Sequence, residues 1–184
     1  MDHVLGVPLP FGMHDHQLPQ ESEYAPFYKG YVTSVLDLDI ITALQTAADD
    51  LNRTLSTFSE AQGDHRYAPG KWSVKELLQH VIDTERIMSY RALTFARQDP
   101  NSLPGFEENE YAACSNADRR SLTELSDEFN LVRKSTIALF RSFTDEMLVA
   151  HGNANGRSMS VRALGYVIAG HGQHHVNILE ERYR

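Results

Sequence analysis

The chain has 184 residues, enough for one domain with a substantial apolar core. A formal charge of −8, a pI near 5.5 and no basic run longer than two residues exclude nucleic acid or an anionic membrane as the main partner. The single cysteine, Cys114, cannot form an internal disulfide, the first residues lack the basic start and apolar core of a signal peptide, and no apolar stretch reaches the ~20 residues a bilayer requires; a cytoplasmic protein is expected.

Residues 1–36 are dense in proline and aromatics (Pro8, Pro10, Phe11, Pro19, Tyr24, Pro26, Phe27, Tyr28, Tyr31). Prolines at this density preclude a long helix. The aromatics predict an arm that packs on the body, and a tyrosine-rich arm could also line a ligand pocket. From Asp37 the pattern turns helical, with Ile40, Ile41, Leu44, Ala47, Ala48, Leu51 and Leu55 on one face. Asp37 is the expected N-cap, and the helix is predicted to run to about Gln62, before Gly63.

The second helix has the strongest start signal. Ser73 and Glu76 form an S-x-x-E capping box, and Trp72 and Leu77 occupy the positions of a hydrophobic staple. It should continue to about Arg97, where Asp99-Pro100 stops it. His80 lies about two turns in and shares a face with Leu77, Thr84 and Ile87. A connection of some twenty residues follows, from Gln98 to about Arg120. Antiparallel neighbours need only about 2–8 residues, whereas a crossover along a 25-residue helix must span roughly 37 Å, so helices two and three are predicted to be parallel. Helix three starts at Ser121, with Glu124 completing a second capping box, and runs to about Val149. Residues 151–157 read as a turn, and helix four starts near Ser158 or Ser160. Four amphipathic helices and no strand pattern of note give an all-α four-helix bundle.

In helix four, Val161, Leu164, Ile168, His171, His175, Ile178 and Leu179 follow the spacing of one buried face. Two histidines thus take positions where leucine or isoleucine belongs, and the i, i+4 spacing lets both imidazoles reach one ion. Nine histidines make one such pair an ordinary coincidence, and a buried, hydrogen-bonded histidine pair is the alternative. The third histidine adds weight. If helix four is antiparallel to helix two, His80 lies roughly 10 Å from one end of the bundle and the His171–His175 pair roughly 15 Å from the same end. Three imidazoles on two helices leave positions open on zinc, nickel or iron, which is the layout of a catalytic centre rather than a closed structural one. Glu76 and Asp83 are the candidate carboxylates to support the ligands from behind. His174, about 100° around the helix, is expected at the surface or in an oligomer contact. Cys114 lies on a connection without an assignable histidine partner and is not expected to be a nucleophile.

Trp72-Ser73-x-x-Glu76-x-x-x-His80 and Gly170-His171-x-x-His174-His175 together resemble the DinB-like superfamily. The resemblance extends over nearly the whole of residues 1–184, from the Tyr24-Ala25-Pro26 arm to the last helix, and so implies one such domain. Members are small four-helix bundles with an up-down-down-up connection, several of them thiol-dependent. Bacillithiol S-transferases and the mycothiol-dependent maleylpyruvate isomerase domain are relatives. The resemblance implies His80, His171 and His175 as metal ligands, a small-molecule substrate, a possible low-molecular-weight thiol cosubstrate and a homodimer. One departure is informative: Gly172 stands where many relatives have glutamate, so the chain reads H-G-x-x-H and lacks the base of a zinc peptidase. A di-iron carboxylate site is disfavoured as well, because positions 168 and 172 are Ile and Gly.

Three functions follow as alternatives. The first is a metal-dependent thiol S-transferase, the second a metal-dependent hydrolase or isomerase that activates water, and the third a non-enzymatic, stress-associated metal-binding bundle.

Overall fold

The computed structural model describes residues 18–184. The expectations on Pro8, Pro10 and Phe11 lie outside these residues. The arm begins with short 3-10 turns and a helix α1 (Lys29–Thr33), followed by α2 (Ile40–Leu55), α3 (Val74–Ala96), α4 (Glu108–Cys114), α5 (Leu122–Arg141) and α6 (Asp145–Leu148). A hairpin of β1 (His151–Ala154) and β2 (Arg157–Ser160) then leads into α7 (Val161–Arg182).

The long helices are α2, α3, α5 and α7, and side-chain pairs fix their directions. On α2 and α7, Thr54 bonds Glu180 while Ile40 sits at Gly165, so these two run parallel. On α3 and α5, Gln79 meets Arg120 and Ser89 meets Thr136, again parallel. Tyr183 reaches the Trp72 carbonyl while His171 meets His80, so α7 is antiparallel to α3. The order is up, down, down, up, as the long crossover predicts. Helices α2 and α3 occupy opposite corners of the square, with α7 and α5 between them.

Both capping boxes are present: Ser73 accepts from Glu76 N and Ser121 from Glu124 N. Three boundaries differ from expectation. The N-cap of α2 is Asp39, not Asp37, because Asp39 accepts from Thr42 N at 2.9 Å. That helix also ends at Leu55, not near Gln62; residues 60–64 form a separate 3-10 turn that buries Gly63 beneath Lys75. Helix α5 likewise stops at Arg141, and Thr144 caps the separate turn α6. The hairpin is the fourth difference from the predicted pattern. Asn155 and Gly156 both have positive φ (52° and 69°), the backbone of a tight type I′ turn. Its strands pair from His151↔Ser160 to Ala154↔Arg157, and Leu103 of the crossover bonds Asn153 and Asn155.

The apolar core is in two parts. One gathers Leu44, Met88, Phe95, Phe140, Leu164 and Val167; the other gathers Leu51, Leu78, Leu125, Phe129, Val176 and Leu179. Between them, at mid-height, lies a polar level holding the buried Glu85–Arg133 ion pair and the turn of α7 around Gly172. The arm closes one side. Tyr24 is buried, Glu23 pairs with Arg162 and accepts from Ser160 at the start of α7, and α1 lies so close to α7 that a β-carbon at Gly170 would fall 2.0 Å from the Tyr31 carbonyl oxygen.

Candidate metal centre

The antiparallel contact of α3 and α7 brings His80, His171 and His175 together, all three buried. The Nε2 atom of His171 lies 3.1 Å from Nε2 of His80 and 3.1 Å from Nε2 of His175. The ligand atoms of the group all lie within 4.8 Å of one another. Nitrogens around a tetrahedral zinc with bonds of ~2.0–2.1 Å stand about 3.3 Å apart, close to the observed spacing.

Two further observations fit a cation at this point. A ring nitrogen carries either a proton or a lone pair, so one Nε2 cannot serve two others that face it in the same way. Protonation offers no escape. Burial first, and then the charge of His174, brings His80 down to about 4. Burial likewise holds His171 and His175 well below the ordinary range, followed for His171 by His80, His174 and Arg133 and for His175 by His171, His80 and His174. Three neutral imidazoles with converging nitrogens are the form a divalent ion requires.

The surroundings are aromatic. Trp72 lies over His80 with ring centroids 4.6 Å apart, and Tyr31 meets His171 edge-on at 5.5 Å. His174 is exposed, as expected, and touches Tyr31. The candidate supporting carboxylates are engaged elsewhere. Glu76, at the third position of α3, turns back to accept from Ser73 N and from Arg66, and Asp83 accepts from Gln79 one turn before it. Among the described residues neither has a hydrogen bond to an imidazole; each is held by its own local bonds. Nδ1 of His175 is buried without a partner among the described residues. Cys114 is exposed on α4, on a different face of α3 from the histidines.

His80 and His171 form part of the wall of a cavity of about 370 Å³. It lies between α3 and α7, with Tyr28 and Tyr31 of the arm on one side and Gly105–Asn109 of the crossover and Asn155 and Arg157 of the hairpin around it. The tyrosines therefore both pack and line. Thr84, Met88 and Arg91 continue the wall along α3. Thr84 was visible in the sequence on the face of His80; Arg91, eleven residues on, returns to that face after three turns and carried the same signal.

The family model of the DinB superfamily matches residues 43–179. The chain belongs to the DinB superfamily. No curated protein matches it significantly in sequence. Among solved structures, this DinB-superfamily chain is similar to YfiT from Bacillus subtilis, described as a probable metal-dependent hydrolase with an unusual four-helix bundle topology. The TM-score is 0.68 at 14% identity, over 89% of each chain. It is also similar to a mycothiol-dependent maleylpyruvate isomerase, with a TM-score of 0.65 and 16% identity over 78% of this chain and 61% of that one. The shared fold bears out the bundle, and the family-model match bears out the family resemblance. Among the described residues no helix is long and apolar enough to cross a membrane.

Proposed function

We propose that this DinB-superfamily protein is a metal-dependent enzyme acting on small molecules, with His80, His171 and His175 holding one divalent ion, zinc or nickel foremost and iron as a further candidate. The observation that carries the reading is the convergence of three imidazole nitrogens, with His80 and His171 in the wall of a cavity large enough for a small molecule. A bound ion supplies Lewis acidity, lowering the pKa of a thiol or water that takes its open position.

The reaction we favour is transfer of a low-molecular-weight thiol of the bacillithiol or mycothiol type to an electrophile. Two candidate bases beside the histidines are missing or engaged, which supports it. Gly172 removes the glutamate of a zinc peptidase, and the carboxylate of Glu85 in the cavity wall is held by both Nε and Nη2 of Arg133, at 2.8 and 2.9 Å. A thiol with a lowered pKa needs no such base, whereas attack by water ordinarily uses one. Tyr31 keeps its proton, raised by burial and then by the nearby charge of Glu108, and its ring against His171 holds that imidazole in place.

Hydrolysis or isomerisation is the second reading, favoured by the descriptions of the two similar structures. Protein loaded with zinc or nickel is assayed against a panel of thiols and electrophiles, with and without thiol. Thiol-dependent conjugation is expected. Turnover in the absence of thiol supports the second reading. Variants with Gln or Leu at positions 80, 171 and 175 that lose no activity would leave the non-enzymatic bundle. A homodimer, proposed from related bundles, is checked by sedimentation.

A further inference from the structure

Four cationic side chains are buried among the described residues, and three have carboxylate partners. Lys75 pairs with Glu60 and Asp64, Arg133 with Glu85, and Arg162 with Glu23. Arg91 has none. It is 3% exposed, its Nη2 donates to the Pro104 carbonyl at 2.9 Å, and its Nη1 lies 3.6 Å from Met88 Sδ. A guanidinium withdrawn from water without a counter-charge is costly unless an anion arrives. Arg91 lies in the wall of the cavity that holds His80 and His171.

A second group in that wall is also unmatched. Thr84 is 5% exposed, and its Oγ1 has no hydrogen-bond partner among the described residues. His80, Thr84 and Arg91 lie at i, i+4 and i+11 on α3, one face of the helix. Their α-carbons span about 16 Å. The contact of Arg91 with Met88, one turn back, folds the guanidinium toward the histidines and shortens the reach to on the order of 10 Å. The other charges of the cavity wall are matched or exposed, Arg157 among the exposed ones. Glu85 is matched by Arg133, while Glu107 and Glu108 are exposed and make no ion pair with Arg91.

We propose that Arg91 and Thr84 form a carboxylate-binding subsite. The guanidinium receives the carboxylate of an elongated small molecule whose other end lies at the histidines, and the Thr84 hydroxyl bonds the same molecule between them. The assignment of this molecule as substrate or cosubstrate rests on the function proposed above; the binding itself does not depend on the ion.

Isothermal titration of the chain freed of metal tests this with two acids and their methyl esters. S-Methylglutathione represents a thiol cosubstrate and trans,trans-muconate an electrophile. At least one acid binds, at least tenfold more tightly than its ester, and the tighter acid identifies which partner carries the carboxylate. Arg91→Gln abolishes the preference for acid, Arg91→Lys retains part of it, and Thr84→Val weakens acid and ester alike. Equal affinity for acid and ester, unchanged acid binding by Arg91→Gln, or no binding of either acid overturns the proposal. Should Arg91→Gln fail to fold, the acid–ester comparison on the unaltered chain decides alone. Metal binding is measured separately: an ion held with no preference for acid sinks the subsite only, and acid preference without any ion sinks the metal-dependent reading only.

Discussion

At the scale of single residues, the chemistry depends on three imidazoles held neutral by burial. Their pKa values in the fold lie below the ordinary 6.5, for His80 at about 4, so between these values the unfolded chain binds more protons than the folded one. Stability of the metal-free protein is therefore complete above pH 6.5 and is lost as the pH falls toward the folded values. His80 alone accounts for about 2 kcal/mol between pH 7 and pH 5. Urea unfolding of metal-free protein at the two pH values should show this loss, and His80→Gln should reduce it. An unfolding midpoint independent of pH in this window would contradict neutral, buried histidines. Below about pH 4.5 a second loss begins. Burial alone would raise Glu23 and Glu76, yet Arg162 and Arg66 hold them below the usual carboxylate range.

At the scale of elements, two glycines of α7 separate packing from propensity. A β-carbon at Gly170 would meet the backbone of Tyr31 at 2.0 Å, and backbone cannot yield as a side-chain tip can. Gly170→Ala should displace α1 and destabilise by about 2 kcal/mol, despite alanine's better helix propensity. At Gly172 the nearest atoms are Arg133 Nη2 at 3.5 Å and Ala47 Cβ at 3.8 Å, ordinary contacts. Gly172→Ala should therefore stabilise, by up to about 1 kcal/mol. Thermal unfolding of the pair checks both, and equal effects of the two would refute the close approach of α1. The elements also show where sequence was sufficient. The Ser73 and Ser121 boxes marked two helix starts because a cap is written in adjacent residues. The end of α2 was misplaced because apolar spacing persists into Phe58, and only packing beneath Lys75 decides that residues 60–64 turn away. Asn155-Gly156 was a legible hairpin signal, but strands of four residues carry too little alternation to announce themselves.

At the scale of the whole molecule, the long crossover determines everything about the site. Parallel α3 and α5 make α7 antiparallel to α3, and this places His80 at the depth of His171 and His175. That much was legible because lengths and directions suffice to compare depths. The cavity was not legible in full, since the arm, the crossover and the hairpin meet only through tertiary contacts such as Leu103 with Asn153. Nor was the Glu85–Arg133 pair, whose partners lie 48 residues apart on two helices. This pair separates the two halves of the core. Arg133→Met would leave Glu85 buried without its cation and should cost about 3–5 kcal/mol in denaturant unfolding. A change below 1 kcal/mol would mean that Glu85 finds water through the cavity.

The central claim is that the three histidines bind one ion. Elemental analysis of untagged protein, beside the His80→Ala/His171→Ala/His175→Ala triple variant, tests it most directly. One divalent ion per chain in the unaltered protein and none in the variant is the predicted result. No ion in either, even after reloading with zinc or nickel, would contradict it and return these histidines to the core as packing residues.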